Sequence, residues 1–208
     1  MLVMVLFVLD QSSRVEKRLE PMMQIRTKLF TSLLMTLALT LTVVNSSYAA
    51  EKSPEFKAAL AQMKIQKDDF KEIAWYTDKS SPNNIDTNAL YLYVGTKKGE
   101  KPVLFLRIQY SGDDWLFIKK YLFKVDGVMS DITPFSGEIE SDNNSKVWEY
   151  YNQEARGSQV MLMKRIIASK KTVMRMEGSK YYKDVTISST QKKAMQRVLT
   201  LYAGLGGK

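Results

Sequence analysis

The sequence predicts an α+β fold, an antiparallel β-sheet meander packed with an N-terminal and a C-terminal amphipathic helix. Apolar residues recur at helical spacing at Phe56, Ala59, Leu60 and Met63, and again at Ala194, Met195, Val198, Leu201, Tyr202 and Leu205. Between these stripes the pattern has period two and is rich in aromatic and branched residues. The connections there are short and built from Gly, Pro, Asn, Asp and Ser. Such turns suit antiparallel neighbours, because parallel pairing needs long crossovers.

The first helix opens at Ser53-Pro54, a capping residue followed by proline at the first helical position, and should end near residues 63–66. From Phe70 onward, strands are expected over residues 71–77, 89–95, 103–110, 115–125, 128–133 and 147–151. Asp126-Gly127 is the sharpest turn signal, since both central residues of a tight hairpin need positive φ. Residues 160–167 read as a short helix, and residues 172–177 and 181–187 as a hairpin around Gly178-Ser179. Ser188 and Gln191 make a capping box for the last helix, which Gly204, Gly206 and Gly207 close.

Residues 22–49 have the three parts of a secretory signal: Arg26 and Lys28, an apolar run over 29–44, and small residues ending in Ser47-Tyr48-Ala49. The run is interrupted by Thr31, Ser32, Thr36, Thr40 and Thr42, so removal is expected instead of stable membrane insertion. Residues 1–49 are therefore assigned to the signal, with translation expected to start at Met22 or Met23, and residues 50–208 to a single globular domain. The expected location is outside the cytoplasm, periplasmic or extracellular.

The chain contains no cysteine and no histidine. Disulfides, the usual zinc ligand sets, and Cys-His or Ser-His-Asp nucleophilic systems are excluded. No cofactor or metal is expected. Beyond Ala49 there are 26 basic and 19 acidic residues, distributed unevenly. Residues 50–163 carry 15 basic and 17 acidic groups, whereas residues 164–207 carry 10 and 2. Lys170, Lys171, Arg175, Lys180 and Lys183 in that last block are the candidate binding residues for an anionic surface. The competing reading is a set of solvated helix and strand faces.

Glu138, Glu140, Asp142, Asn144 and Glu149 fall at positions one, three, five, seven and twelve of a calcium-loop pattern. Asn143 replaces the glycine that makes the sharp turn, and no helix precedes the segment. An exposed acidic edge strand ending in an Asn turn is the preferred account. The strand aromatics, among them Trp75, Tyr91, Tyr93, Trp148 and Tyr150, offer a stacking platform where they stand beside Arg107, Lys119 or Lys183 on an exposed sheet face. Cross-strand or core packing is the favoured alternative.

Serine-lysine neighbours such as Ser169-Lys170 alternate across a strand, and Asp113-Asp114 lies in a turn, so neither suggests catalysis. The expected function is an exported, non-enzymatic module that binds an envelope protein or an anionic polymer, through a sheet face or the basic last third. A carboxylate-dependent hydrolase acting on cell-wall or polysaccharide material is the alternative, requiring two acids across a cleft. Nucleic acid is a disfavoured partner, because export leaves few such targets.

Overall fold

Helix α1 (Pro54–Ala61) begins as the sequence marks it, with Ser53 Oγ accepting the Phe56 N–H at 3.2 Å and Pro54 in the first turn. The computed structural model describes residues 52–82 and 84–208, and Lys52–Lys208 form one compact unit. The signal assigned to residues 1–49 and the start at Met22 lie outside the described residues.

The helix stops earlier than its apolar stripe suggests. Gln62 closes it, and the next segment is strand β1 (Met63–Asp68), paired in register with β2 (Ile73–Asp78) from Met63 opposite Asp78 to Asp68 opposite Ile73. Met63 and Ile65 alternate with Lys64 and Gln66, so the segment satisfies a period-two pattern once a partner strand is beside it. Strands β3 (Ala89–Lys97) and β4 (Val103–Gly112) continue the meander.

The meander then ends, and one sheet becomes two. Residues 115–119 were expected to belong to a strand reaching residue 125, but Phe117 has φ 53° and the strand β5 covers only Lys120–Val125. The N–H groups of Leu116 and Phe117 donate to Glu149 Oε1 at 2.7 and 2.9 Å, and that of Ile118 to Oε2 at 2.7 Å. This buried carboxylate pulls the chain out of the first sheet and turns it toward the second. Asp126 (φ 47°) and Gly127 (φ 89°) form the turn between β5 and β6 (Val128–Ile132), as that dipeptide requires.

Strand β7 (Ile139–Asn143) is the exposed acidic edge the sequence suggests, with β8 (Val147–Glu154) between it and β4. After α2 (Gly157–Ala168), the hairpin β9 (Thr172–Glu177) and β10 (Tyr182–Thr186) completes the second sheet. Helix α3 (Ser189–Gly204) starts with the expected reciprocal cap between Ser188 and Gln191. The sheet orders are β1-β2-β3-β4-β8-β7 and β10-β9-β5-β6, all pairs antiparallel.

One face of each sheet turns inward. Leu90, Leu92 and Val94 of β3, Leu106 and Ile108 of β4, Phe123 of β5 and Met174 of β9 join Met163 of α2 and Met195, Val198 and Leu201 of α3 in one buried cluster. A bidentate ion pair ties α3 to the end of β2: Arg197 Nε and NH2 donate to Asp78 Oδ2 and Oδ1 at 2.6 and 2.8 Å. Residues 52–208 are a compact unit with its own core, the property that independently folding domains share.

Candidate functional site

The outward face of the six-stranded sheet is built by strand alternation. Residues opposite one another in register share a face, so Trp75, Tyr91, Tyr93, Phe105, Arg107, Gln109, Trp148, Tyr150 and Asn152 all point away from the core. Helix α3 packs on β2 and β3 from the other side, and none of these rings belongs to the core cluster. The rings are half-buried by one another. Tyr93 stacks on Phe105 at 5.0 Å between centroids, with Trp75 edge-on to Phe105 at 5.4 Å. Gly95 makes room for this, because a Cβ there would meet the Trp75 ring at 2.5 Å. Trp148 and Tyr150 stack at 5.4 Å, and the Arg107 guanidinium lies 3.8 Å from the Tyr150 centroid.

Polar groups thread between the rings. Tyr93 donates to Asn152 Oδ1 at 2.8 Å, Tyr150 to Glu140 Oε2 at 2.5 Å, and Arg107 Nε to Gln109 Oε1 at 3.2 Å. No carboxylate pairs with Arg107 among the described residues. Burial raises the pKa of Tyr91, with Arg107 opposing it, and raises that of Tyr93 against its bond to Asn152. Both phenols are therefore neutral near pH 7, the Tyr93 O–H already committed to Asn152.

Beside this face is a cavity of about 470 Å³. Its floor holds Lys64, Gln66, Thr77, Tyr91, Arg107 and Gln109, and the segment after β2 supplies Ser81, Pro82, Asn84 and Ile85 as a wall. That wall is pinned to the sheet. Gln109 Nε2 donates to the carbonyls of Asn84 and Thr87 at 2.9 and 2.7 Å, while Asn88 exchanges two hydrogen bonds with the Ser111 backbone. The buried Ser81 hydroxyl has no partner among the described residues.

The five basic residues singled out in the sequence are not one patch. Lys171 and Arg175 line a cavity of about 570 Å³ on the outward face of the four-stranded sheet, with Leu122, Met129 and Val173 as its apolar part. Arg175 is held there by Asp184 in a bidentate pair at 2.7 and 2.8 Å and stacks on Tyr182 at 3.7 Å. The backbone N–H groups of Lys170 and Lys171 both bind the Asp126 carboxylate. Lys180 sits in the β9–β10 turn, and Lys183, opposite Met176, points to the other side of the sheet from Arg175.

The acids of this second cavity are ionised ones. The N–H groups of Lys171 and Lys170 lower the pKa of Asp126, and the Arg175 guanidinium lowers that of Asp184. General-acid catalysis needs a partner shifted the opposite way. The calcium pattern is dismantled by geometry: Glu149, its twelfth position, is 2% exposed and engaged by three N–H groups, while Glu140 holds Tyr150.

Lys64 and Gln66 lie where the apolar spacing predicts the end of a helix, which hides their place on a sheet face. Only the alternation of Met63 and Ile65 with polar residues could have revealed them. No protein family matches the chain, and comparisons with curated proteins and with solved structures return no match.

Proposed function

We propose that this protein is an exported, non-enzymatic binding module whose ligand is an acidic polysaccharide laid across the outward face of the six-stranded sheet. The observation that carries the reading is Arg107, a cation without a carboxylate partner among the described residues, set in a ring-lined face and on the floor of the adjoining cavity. Sugar rings present C–H faces that stack on aromatic rings, and their hydroxyls match the amides of Gln66 and Asn152. Acidic substituents would pair with Arg107 and Lys64. Export rests on the leader at residues 22–49, and amino-terminal sequencing of protein recovered from cells should begin at Ala50.

The direct test is electrophoresis of residues 52–208 through gels containing polygalacturonate or neutral dextran. Retardation by polygalacturonate alone, strongly reduced by Arg107→Ala and by Tyr91→Ala, is the expected result. Equal mobility in both gels overturns the reading. The anionic-polymer version is preferred to an envelope-protein partner because the face offers pinned rings and a side cavity instead of a broad apolar patch.

A further inference from the structure

We infer that the paired loops 115–119 and 178–182 form a peripheral docking edge for an anionic lipid bilayer, with Phe117 and Trp115 entering the interface. The first loop is strained. Phe117 is a bulky residue in the left-handed region, at φ 53°, and remains 63% exposed while its neighbours Leu116 and Ile118 are buried. A Phe ring placed in water at a conformational cost is not explained by folding. The three hydrogen bonds to Glu149 impose that conformation, so the ring is presented rigidly. Trp115, half-buried against the core, stacks on Phe117 at 6.1 Å between centroids, and the two rings make a wedge with Phe117 its more exposed member.

The second loop is joined to the first. Ser179 N–H donates to the Leu116 carbonyl at 3.2 Å, and Lys119 N–H to the Glu177 carbonyl at 2.8 Å. Gly178 permits the approach, since a Cβ there would overlap the Leu116 carbonyl oxygen. Tyr181 and Tyr182 are 65% and 58% exposed on this loop and the start of β10. Lys119 and Lys180 are exposed on the same loops, Lys183 is exposed one residue further on in β10, on the sheet side away from Arg175, and none of the three has an ion-pair partner among the described residues. Asp113 and Asp114 precede the wedge, with Asp114 Oδ1 turned back to accept the Trp115 N–H at 2.8 Å.

Rings and lysines exposed on two joined turns and the start of β10, lining neither of the cavities on the sheet faces, suit a soft planar partner more than a shaped protein groove. Aromatic side chains favour the bilayer interface, and lysines favour anionic head groups. The docking is peripheral, since it rests on side chains of two surface turns; no helix among the described residues is long and apolar enough to cross a membrane.

The experiment uses residues 52–208 and vesicles of phosphatidylcholine, with or without an equal part of phosphatidylglycerol. Sedimentation with the anionic vesicles alone is expected. Neutralising Lys119, Lys180 and Lys183 to Gln should weaken it about fivefold for each lysine. Phe117→Gly removes the ring and relieves the backbone, so its melting midpoint should stay level or rise while vesicle binding falls about tenfold. Acyl-chain-brominated lipid should quench tryptophan fluorescence in the parent and leave it unquenched in Trp115→Phe, which still sediments. Arg107→Ala should leave vesicle binding intact, which separates this edge from the polysaccharide face. A parent protein that stays in the supernatant, binding untouched by Phe117→Gly, or quenching that persists in Trp115→Phe each overturns the inference; a protein partner would then be the remaining explanation for the wedge.

Discussion

The outward faces of the two sheets use similar residue types and arrive at opposite electrostatic results. On the four-stranded sheet, Arg175 lies against Asp184, Lys120 lies 3.1 Å from Glu177, and the Asp126 carboxylate is occupied by two N–H groups. On the six-stranded sheet, Arg107 rests on Tyr150 and bonds an amide. A cation answered by a carboxylate two ångströms and a fraction away has little left for a ligand, whereas one lying on a ring keeps most of its field. The count of basic residues therefore says less about binding than the identity of their cross-strand neighbours.

Glu149 joins the two sheets, and its loss should have the largest effect. Glu149→Ala strands buried N–H groups at Leu116 and Ile118 and should lower unfolding free energy by on the order of 3 kcal/mol, read by urea denaturation. If stability is unchanged, the joint is not what holds the sheets in their relation.

The ion pair Asp78–Arg197 should come next, because Asp78 is 2% exposed. Asp78→Ala should lower stability by about 2 kcal/mol, below the usual range for a fully buried pair because Arg197 is partly solvated. Burial raises the Asp78 pKa, but bonds from Arg197 and Ser80 outweigh it and the net shift is downward. A carboxyl whose folded pKa lies below its unfolded value contributes fully above about pH 4 and loses that contribution as pH falls through the folded value. The unfolding midpoint of the parent should therefore drop below that range more steeply than that of Asp78→Asn, as followed by thermal melts across acidic pH.

Arg107→Ala should reduce polygalacturonate affinity about tenfold with little change in stability, measured by affinity electrophoresis beside thermal melts. The smallest effect belongs to Arg175→Ala on the opposite sheet. Its partner is exposed, so both the melting midpoint and polygalacturonate retardation should be indistinguishable from the parent. Equal losses from the Arg107 and Arg175 variants would show that total charge, and not the ring face, governs binding.

Much of the element list was legible in the residues. Ser53-Pro54, Asp126-Gly127, Ser188 with Gln191, and the strand alternation through Tyr91 and Tyr93 act over a few positions, and each appears where its local chemistry places it. The errors share a different cause. Residues 63–68 depend on β2 lying alongside, and residues 115–119 depend on a carboxylate more than thirty positions away, so neither is decided by nearby sequence. The candidate face was half legible. Alternation placed the tyrosines together, but their exposure depends on where α3 packs.

By itself, the sequence determined the antiparallel α+β class, the caps and tight turns, and the absence of thiol and imidazole chemistry, because these follow from local backbone preference and side-chain inventory. Tertiary structure alone decided that the strands divide into two sheets, that Arg175 lies against a carboxylate while Arg107 lies on a ring, and that α3 packs on the face opposite the strand aromatics. The physical reason is that hydrogen bonds and ion pairs act over a few ångströms in space, whichever residues the folded chain brings there, and sequence separation does not encode that distance.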